Sequence, residues 1–186
     1  MRKDNRSLEY VSGKLEEIYP SITDIYYNQE EDYNIDLQVS AATSTGVTEV
    51  KSISTKYGPL SGDYWVTGST TNNNWRWCVS GTQESIAEDT TPYPEEMKGK
   101  RLIMLNEYKY NKLNRVKGGL VYLAQDGLLI FSNRQLNTAL AGKGWLLCRK
   151  TKEFGDRRRE WEHKVLLDMT KGTYHQIDDV PLDLLK

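Results

Sequence analysis

Residues 33–39 alternate strictly: Tyr33, Ile35, Leu37 and Val39 are apolar, while Asn34, Asp36 and Gln38 are polar. That is the period of a half-buried β-strand. The small polar run Ala41-Ala42-Thr43-Ser44-Thr45-Gly46 suits a tight reversal, and Val47 to Ile53 is predicted as the partner strand. Upstream, Leu8, Val11, Leu15 and Ile18 recur with a helical period, which predicts a helix over 7–19 capped by Ser7 or Asn5 and ended by Pro20. A first strand follows over 22–28, with 29–32 as its connecting turn. Residues 56–94 lose all period and are rich in Gly, Ser, Thr and Asn.

Order returns at Lys98. Arg101 to Leu105 reads as a short strand or as the start of a basic helix running through Leu113. Gly119–Ala124 and Leu128–Ser132 flank Gln125-Asp126-Gly127, a hairpin signal in which Asp126 serves the turn. Asn133–Ala141 is predicted as a helix capped by Asn133 and ended by Gly142 and Gly144. Trp145–Cys148 and Lys164–Asp168 are further strand candidates, with 149–152 and 156–159 forming a basic loop or hairpin tip between them. The expected fold class is α/β: a mixed central β-sheet flanked by helices, in a single domain over 1–186. Residues 56–97 would be an aromatic-rich insertion and 175–186 an acidic surface tail.

The first hairpin carries the candidate chemistry. Side chains alternate along a strand, so Glu49 and Lys51 share one side. With the turn centred near Thr43 and Ser44, Asp36 lies opposite Lys51 and Gln38 opposite Glu49. Cross-strand neighbours sit about 4.5–5.5 Å apart at Cβ, so these groups form one compact cluster. A hard cation such as Mg²⁺ takes carboxylate oxygens while keeping several waters, so two carboxylates and a phosphate suffice. The cation lowers the pKa of a bound water and neutralises charge on the phosphoryl group, and lysine adds a point charge beside it. Glu-x-Lys recurs at Glu49, Glu96, Glu107 and Glu162, but only Glu49 lies on an alternating strand that follows another acid-bearing strand. The bland alternative is a surface hairpin with a solvated charged face.

Asp36 with Glu49-Val50-Lys51 resembles the core motif of the PD-(D/E)XK nuclease superfamily, in which an aspartate opens one central strand and Glu-x-Lys lies on the next. The spacing of thirteen positions is that of its resolvase-like members. The proline that often precedes the aspartate is replaced by Asn34-Ile35. The resemblance covers roughly residues 6–55. It implies a restriction-endonuclease-like core, metal-dependent hydrolysis of DNA phosphodiester bonds leaving a 5′-phosphate and a 3′-hydroxyl, and a homodimer able to cut two strands. Asp36 and Glu49 would hold Mg²⁺ or Mn²⁺ and Lys51 would position the water. An acidic residue on the preceding helix is also implied, with Glu9 first and Glu16 second, and Gln38 would line the site.

Charge distribution adds to this picture. Residues 1–97 carry 7 basic and 16 acidic side chains, whereas 98–164 carry 16 basic and 6 acidic. An acidic half with metal ligands and a basic half suited to phosphates fits a nucleic-acid enzyme; simple mutual neutralisation is the other explanation. Lys109, Lys112 and Arg115, with Lys117 close by, recur at near-helical spacing and would form a cationic stripe. Arg157, Arg158 and Arg159 are phosphate contacts on the same logic. Trp75 and Trp77 would share a face if extended, either stacking on unpaired bases or packing a small sheet.

His163 and His175 lack zinc-ligand spacing, and no Walker, GxGxxG or GxSxG motif occurs. No apolar run reaches the length of a membrane span, and Cys78 and Cys148 suggest no disulfide framework, so a cytoplasmic location is expected. DNA is the expected partner, with RNA left open. Two rival functions stand beside the nuclease. One is a catalytically inactive nucleic-acid-binding module of the same fold. The other is a protein-interaction factor of phage or defence type, using Tyr64–Trp77.

Overall fold

The computed structural model describes residues 5–27, 36–41, 44–52, 75–77, 102–151 and 157–185. The chain divides into two compact units. One comprises Met1–Leu60, Lys112–Thr138 and Lys171–Lys186; the other comprises Ser61–Asn111 and Ala139–Thr170.

The first unit is built on a six-stranded sheet, ordered β1-β2-β3-β6-β7-β10. Its strands are β1 (Ile22–Tyr27), β2 (Leu37–Ala41), β3 (Ser44–Ser52), β6 (Gly119–Ala124), β7 (Gly127–Phe131) and β10 (Thr173–Gln176). The β3–β6 pair is parallel and the other pairs are antiparallel, so the sheet is mixed, as expected. Helix α1 (Asn5–Ile18) lies on one face. Its Leu8, Val11 and Leu15, spaced three and four apart, bury against Leu37, Val50, Val121, Leu123 and Leu128. Burying each of these helix side chains stabilises the unit by about 2 kcal/mol.

The segment expected as an acidic tail is part of this core. Thr173–Gln176 adds the edge strand beside β7, and Val180 and Leu184 are buried in the same cluster as Leu8. Arg6 meets Asp183 at 3.2 Å, and the Ser7 hydroxyl donates to the Leu184 carbonyl at 3.3 Å. The charges of Asp178, Asp179 and Asp183 obscured two apolar residues four apart.

Helix α2 (Glu107–Val116) precedes β6 and α3 (Asn133–Ala139) follows β7. Helix α2 ends in a Schellman turn, with Gly118 N donating to Leu113 O at 2.8 Å and Lys117 N to Asn114 O at 3.4 Å. Lys117 occupies the left-handed position, at φ 53°. The cap of α3 is Ser132, one residue before the expected Asn133. Ser132 Oγ accepts from Gln135 N, and Gln135 Oε1 accepts from Ser132 N, which is a capping box. Asn133 instead donates its amide to Leu113 O, Asn114 Oδ1 and Gly118 O, pinning the end of α2.

The second unit holds a four-stranded antiparallel sheet, ordered β4-β8-β9-β5. β4 is Trp75–Trp77, the one described stretch of the expected insertion, and β5 is Leu102–Asn106. β8 (Leu140–Thr151) and β9 (Arg157–Asp168) are 12 residues each and far longer than expected. Gly142 and Gly144 lie inside β8, beside a bulge between Leu140 and Gly142, and do not end a helix. Of the basic segment expected as a loop or hairpin tip, 149–151 and 157–159 are strand residues, because cross-strand pairing continues past the apolar run, while 152 and 156 lie outside the described residues.

Candidate active site

The β2–β3 ladder closes at Ala41↔Ser44 and runs to Leu37↔Thr48. This register is two residues tighter than expected: Gln38 faces Val47, not Glu49, and one further step brings Asp36 level with Glu49, not Lys51. A shift of two keeps every side chain on its own face, whereas a shift of one would have dispersed the cluster. Asp36 Oδ2 accepts the Val50 amide at 2.8 Å, which pins the carboxylate at the mouth of the hairpin.

Val50 points into the α1 core, so its neighbours Glu49 and Lys51 lie on the opposite face of the sheet. Glu49 is 3% exposed. Lys51 Nζ lies 3.4 Å from Glu49 Oε1, and the lysine side chain is 36% exposed. On the parallel neighbour β6, Glu49 is level with Leu120 and Lys51 with Tyr122, both fully buried. Burial, and then the Glu49 charge, push the Tyr122 phenol well above its ordinary range, so it stays protonated. Glu49 and Lys51 thus meet on one face, at the edge of an apolar floor, with Asp36 anchored on the Val50 amide between them. Gln38 is exposed one strand step from Asp36 on that face.

Glu9 is not brought to this cluster. It is exposed on α1, and α1 packs through Leu8, Val11 and Leu15 on the face of the sheet opposite Glu49. Glu16, also exposed on α1, shares that position. The expected cationic stripe is interrupted: Lys109 is 5% exposed with its Nζ 5.8 Å from the Tyr108 ring, Lys112 is half-buried, and only Arg115 and Lys117 are exposed. Arg157, Arg158 and Arg159 open β9, opposite Thr151, Lys150 and Arg149. Trp75 and Trp77 pair with Leu146 and Gly144 of β8.

The donor set fits a hard divalent cation. Glu49 lies on β3 and Asp36 immediately before β2, bonded to the next residue Val50, and a buried carboxylate carries a desolvation cost of several kcal/mol that nearby positive charge offsets. Lys51 offsets part of that cost, and a cation would add a second charge. Among the described residues no group of three or more His, Cys, Asp or Glu side chains is placed to hold a metal, so a cation here would rest on the two carboxylates plus water and phosphate.

The second unit holds a cluster that sequence spacing did not reveal. His163 stacks on Trp145 with ring centroids 4.5 Å apart and planes 10° apart. Its Nδ1 pairs with Glu107 Oε2, and Lys143 Nζ lies 3.5 Å from Glu107 Oε1. Lys164 pairs with Glu162 at 2.9 Å and with the Asn106 amide oxygen. Asn106, Glu107, Tyr108, Asn111, Glu162 and His163 line an open cleft of about 430 Å³. Burial holds the His163 imidazole below its ordinary range; Glu107 opposes this shift and Lys143 adds to it. The pairing of Trp145 with His163 depends on the β8–β9 register, which no local motif encodes.

No helix among the described residues is long and apolar enough to cross a membrane. No protein-family model, curated protein or solved structure matches the chain.

Proposed function

We propose that the chain is a metal-dependent nuclease that hydrolyses DNA phosphodiester bonds through a restriction-endonuclease-like core in the first unit. One observation carries the reading: Glu49 is buried on β3 with Lys51 Nζ 3.4 Å from it, and Asp36, one residue before β2, accepts the amide of Val50 between them. Ordinary surface hairpins do not bury a glutamate, because desolvation opposes it. The mixed sheet, with the aspartate at the opening of β2 and Glu-x-Lys on β3, is the setting the resemblance calls for.

Asp36 and Glu49 would hold Mg²⁺ or Mn²⁺, which supplies a water of lowered pKa and neutralises phosphoryl charge. Lys51 donates to a non-bridging phosphate oxygen or to the attacking water, which it reaches from its half-exposed position. Tyr122, held protonated, adds no negative charge to the two carboxylates. The water oxygen bonds to phosphorus, the bond to the 3′ oxygen breaks, and that oxygen takes a proton. The products are a 5′-phosphate and a 3′-hydroxyl.

A second reading is an inactive nucleic-acid-binding module of the same fold, favoured by the Asp36 oxygen already engaged by the Val50 amide. Incubation with supercoiled, linear and branched DNA in Mg²⁺, Mn²⁺ or EDTA separates the two. Cleavage by the parent, abolished by EDTA and by Lys51→Ala, supports the nuclease. DNA retention in EDTA without cleavage in either metal supports the inactive module.

A further inference from the structure

Antiparallel pairing of β5 with β9 ends at Asn106↔Lys164, where the chain leaves the sheet and enters α2. The cleft of about 430 Å³ lies beside that departure. Its volume falls in the range of small-ligand sites, about 300–1,000 Å³. Tyr108 and Asn111 are three apart on α2, so a ring and a carboxamide stand side by side on one helix face. Glu162 and His163 are neighbours on β9 and reach the cleft from the two faces of that strand. All of these residues belong to the second unit.

The charges around the cleft balance. Lys143 is set against Glu107 and Lys164 against Glu162, and burial favours the neutral form of His163. Such a cleft selects neither a phosphate nor a cation, and what it offers is directional hydrogen bonding beside flat rings. The Asn106 amide oxygen accepts from Lys164, which leaves the amide NH₂ to donate. Asn111 is exposed and presents a donor and an acceptor side by side. That pair is complementary to the N6 amino group and N7 of adenine. Tyr108 is 58% exposed and supplies a ring on which a base can stack. On the β9 side, His163 is held against Trp145 with their planes 10° apart, so that wall is a fixed flat surface. A base stacked within a duplex has no free face, so the ligand that fits is an unpaired one.

We infer that this cleft binds an unpaired adenine base, with Asn111 bonding to its edge and Tyr108 stacking on its face. This deepens the nuclease reading by naming the nucleic-acid feature that the second unit holds. It rests on the nucleic-acid part of that reading and not on the metal site.

The test titrates the protein in EDTA with dAMP, dTMP and deoxyribose 5-phosphate to millimolar concentration, following the Trp145 indole and His163 ring resonances by NMR. dAMP is expected to shift both resonances, and dTMP and the base-free sugar phosphate to leave them in place. Asn111→Ala and Tyr108→Ala should each weaken dAMP binding about tenfold, through one lost carboxamide–base pair and one lost stack. Both side chains are exposed, so the melting temperature should hold in each variant. Tyr108→Phe keeps the ring and should keep the affinity. Arg134→Gln, exposed on α3 and away from the cleft lining, should also match the parent. Sugar phosphate or dTMP bound as tightly as dAMP, unchanged affinity in both alanine variants, or no shift of either resonance would overturn the inference. DNA cleavage by the parent is assayed alongside. Binding of dAMP without cleavage sinks the nuclease and spares the cleft, and metal-dependent cleavage without dAMP binding does the reverse.

Discussion

Lys51→Ala in the absence of metal removes a cation 3.4 Å from a buried carboxylate, and the structure sets the size of the effect. At 3.4 Å the attraction between Lys51 and Glu49 is about 5 kcal/mol at an effective dielectric of about 20 and about 1 kcal/mol in bulk water. Lys51 is 36% exposed while Glu49 is buried, so the effective value lies between these limits, at about 2 kcal/mol. For a chain of this length that is a fall in melting temperature of about 4–8 °C. Glu49→Gln should act in the opposite direction, because the neutral amide keeps the shape without the desolvation cost of a charge. Adding Glu49→Gln to Lys51→Ala should then restore most of the loss. Scanning calorimetry of the parent, both single variants and the double variant, in EDTA and in Mg²⁺, closes the cycle. Mg²⁺ should raise the parent's melting temperature by mass action and leave Glu49→Gln unmoved. A Glu49→Gln variant less stable than the parent in EDTA, yet still stabilised by Mg²⁺, would refute the idea that Glu49 is a buried charge kept for a cation.

Four further outcomes follow from the geometry. Lys117→Gly should stabilise the fold by about 1 kcal/mol, because φ 53° suits glycine; a denaturant midpoint at or below the parent's would contradict the Schellman assignment. Gly127→Ala should cost about 3 kcal/mol or more and release β10, since a Cβ there would lie 2.1 Å from the His175 carbonyl oxygen, and hydrogen exchange of the β7–β10 amides reads the release. The lowered pKa of His163 means that the unfolded chain takes up its proton first. Stability should therefore fall as pH drops below about 6.5 toward the folded-state value, and His163→Gln should shrink that fall; an unchanged pH profile would count against it. Glu9→Ala should leave DNA cleavage unchanged because α1 lies across the sheet from Glu49, and loss of cleavage at unchanged stability would place it at the reacting centre after all.

Much of the first unit was legible because its signals are local. The helical period of Leu8, Val11 and Leu15, the alternation along β2 and the Asp126-Gly127 turn each act within a few residues; α1 and the β6–β7 hairpin formed where their patterns predicted, whereas β2 and β3 run on into 41 and 44–46, which the small polar run had marked as the reversal. Asp36 and the Glu49–Lys51 pair were legible for the same reason, because side-chain alternation survives any even register shift. Errors came where charge was taken as evidence of exposure. Lys109 is buried despite its charge, and the acidic 175–186 segment contributes Val180 and Leu184 to the core. The length of β8 and β9 was missed because strand pairing is a non-local gain that extended both strands through basic residues of weak β-propensity.

The amino-acid sequence by itself determined which residues alternate, which face of each strand they share, and therefore that Asp36, Glu49 and Lys51 belong to one side of one hairpin. Register, burial and pairing between distant segments were decided only in the tertiary structure. It bonded Asp36 to the Val50 amide, sealed Glu49 beside Tyr122, set α1 with Glu9 on the opposite face, and stacked His163 on Trp145. The physical reason is range: backbone geometry and side-chain alternation act between neighbours, whereas desolvation and cross-strand contact depend on which distant segment comes to lie alongside.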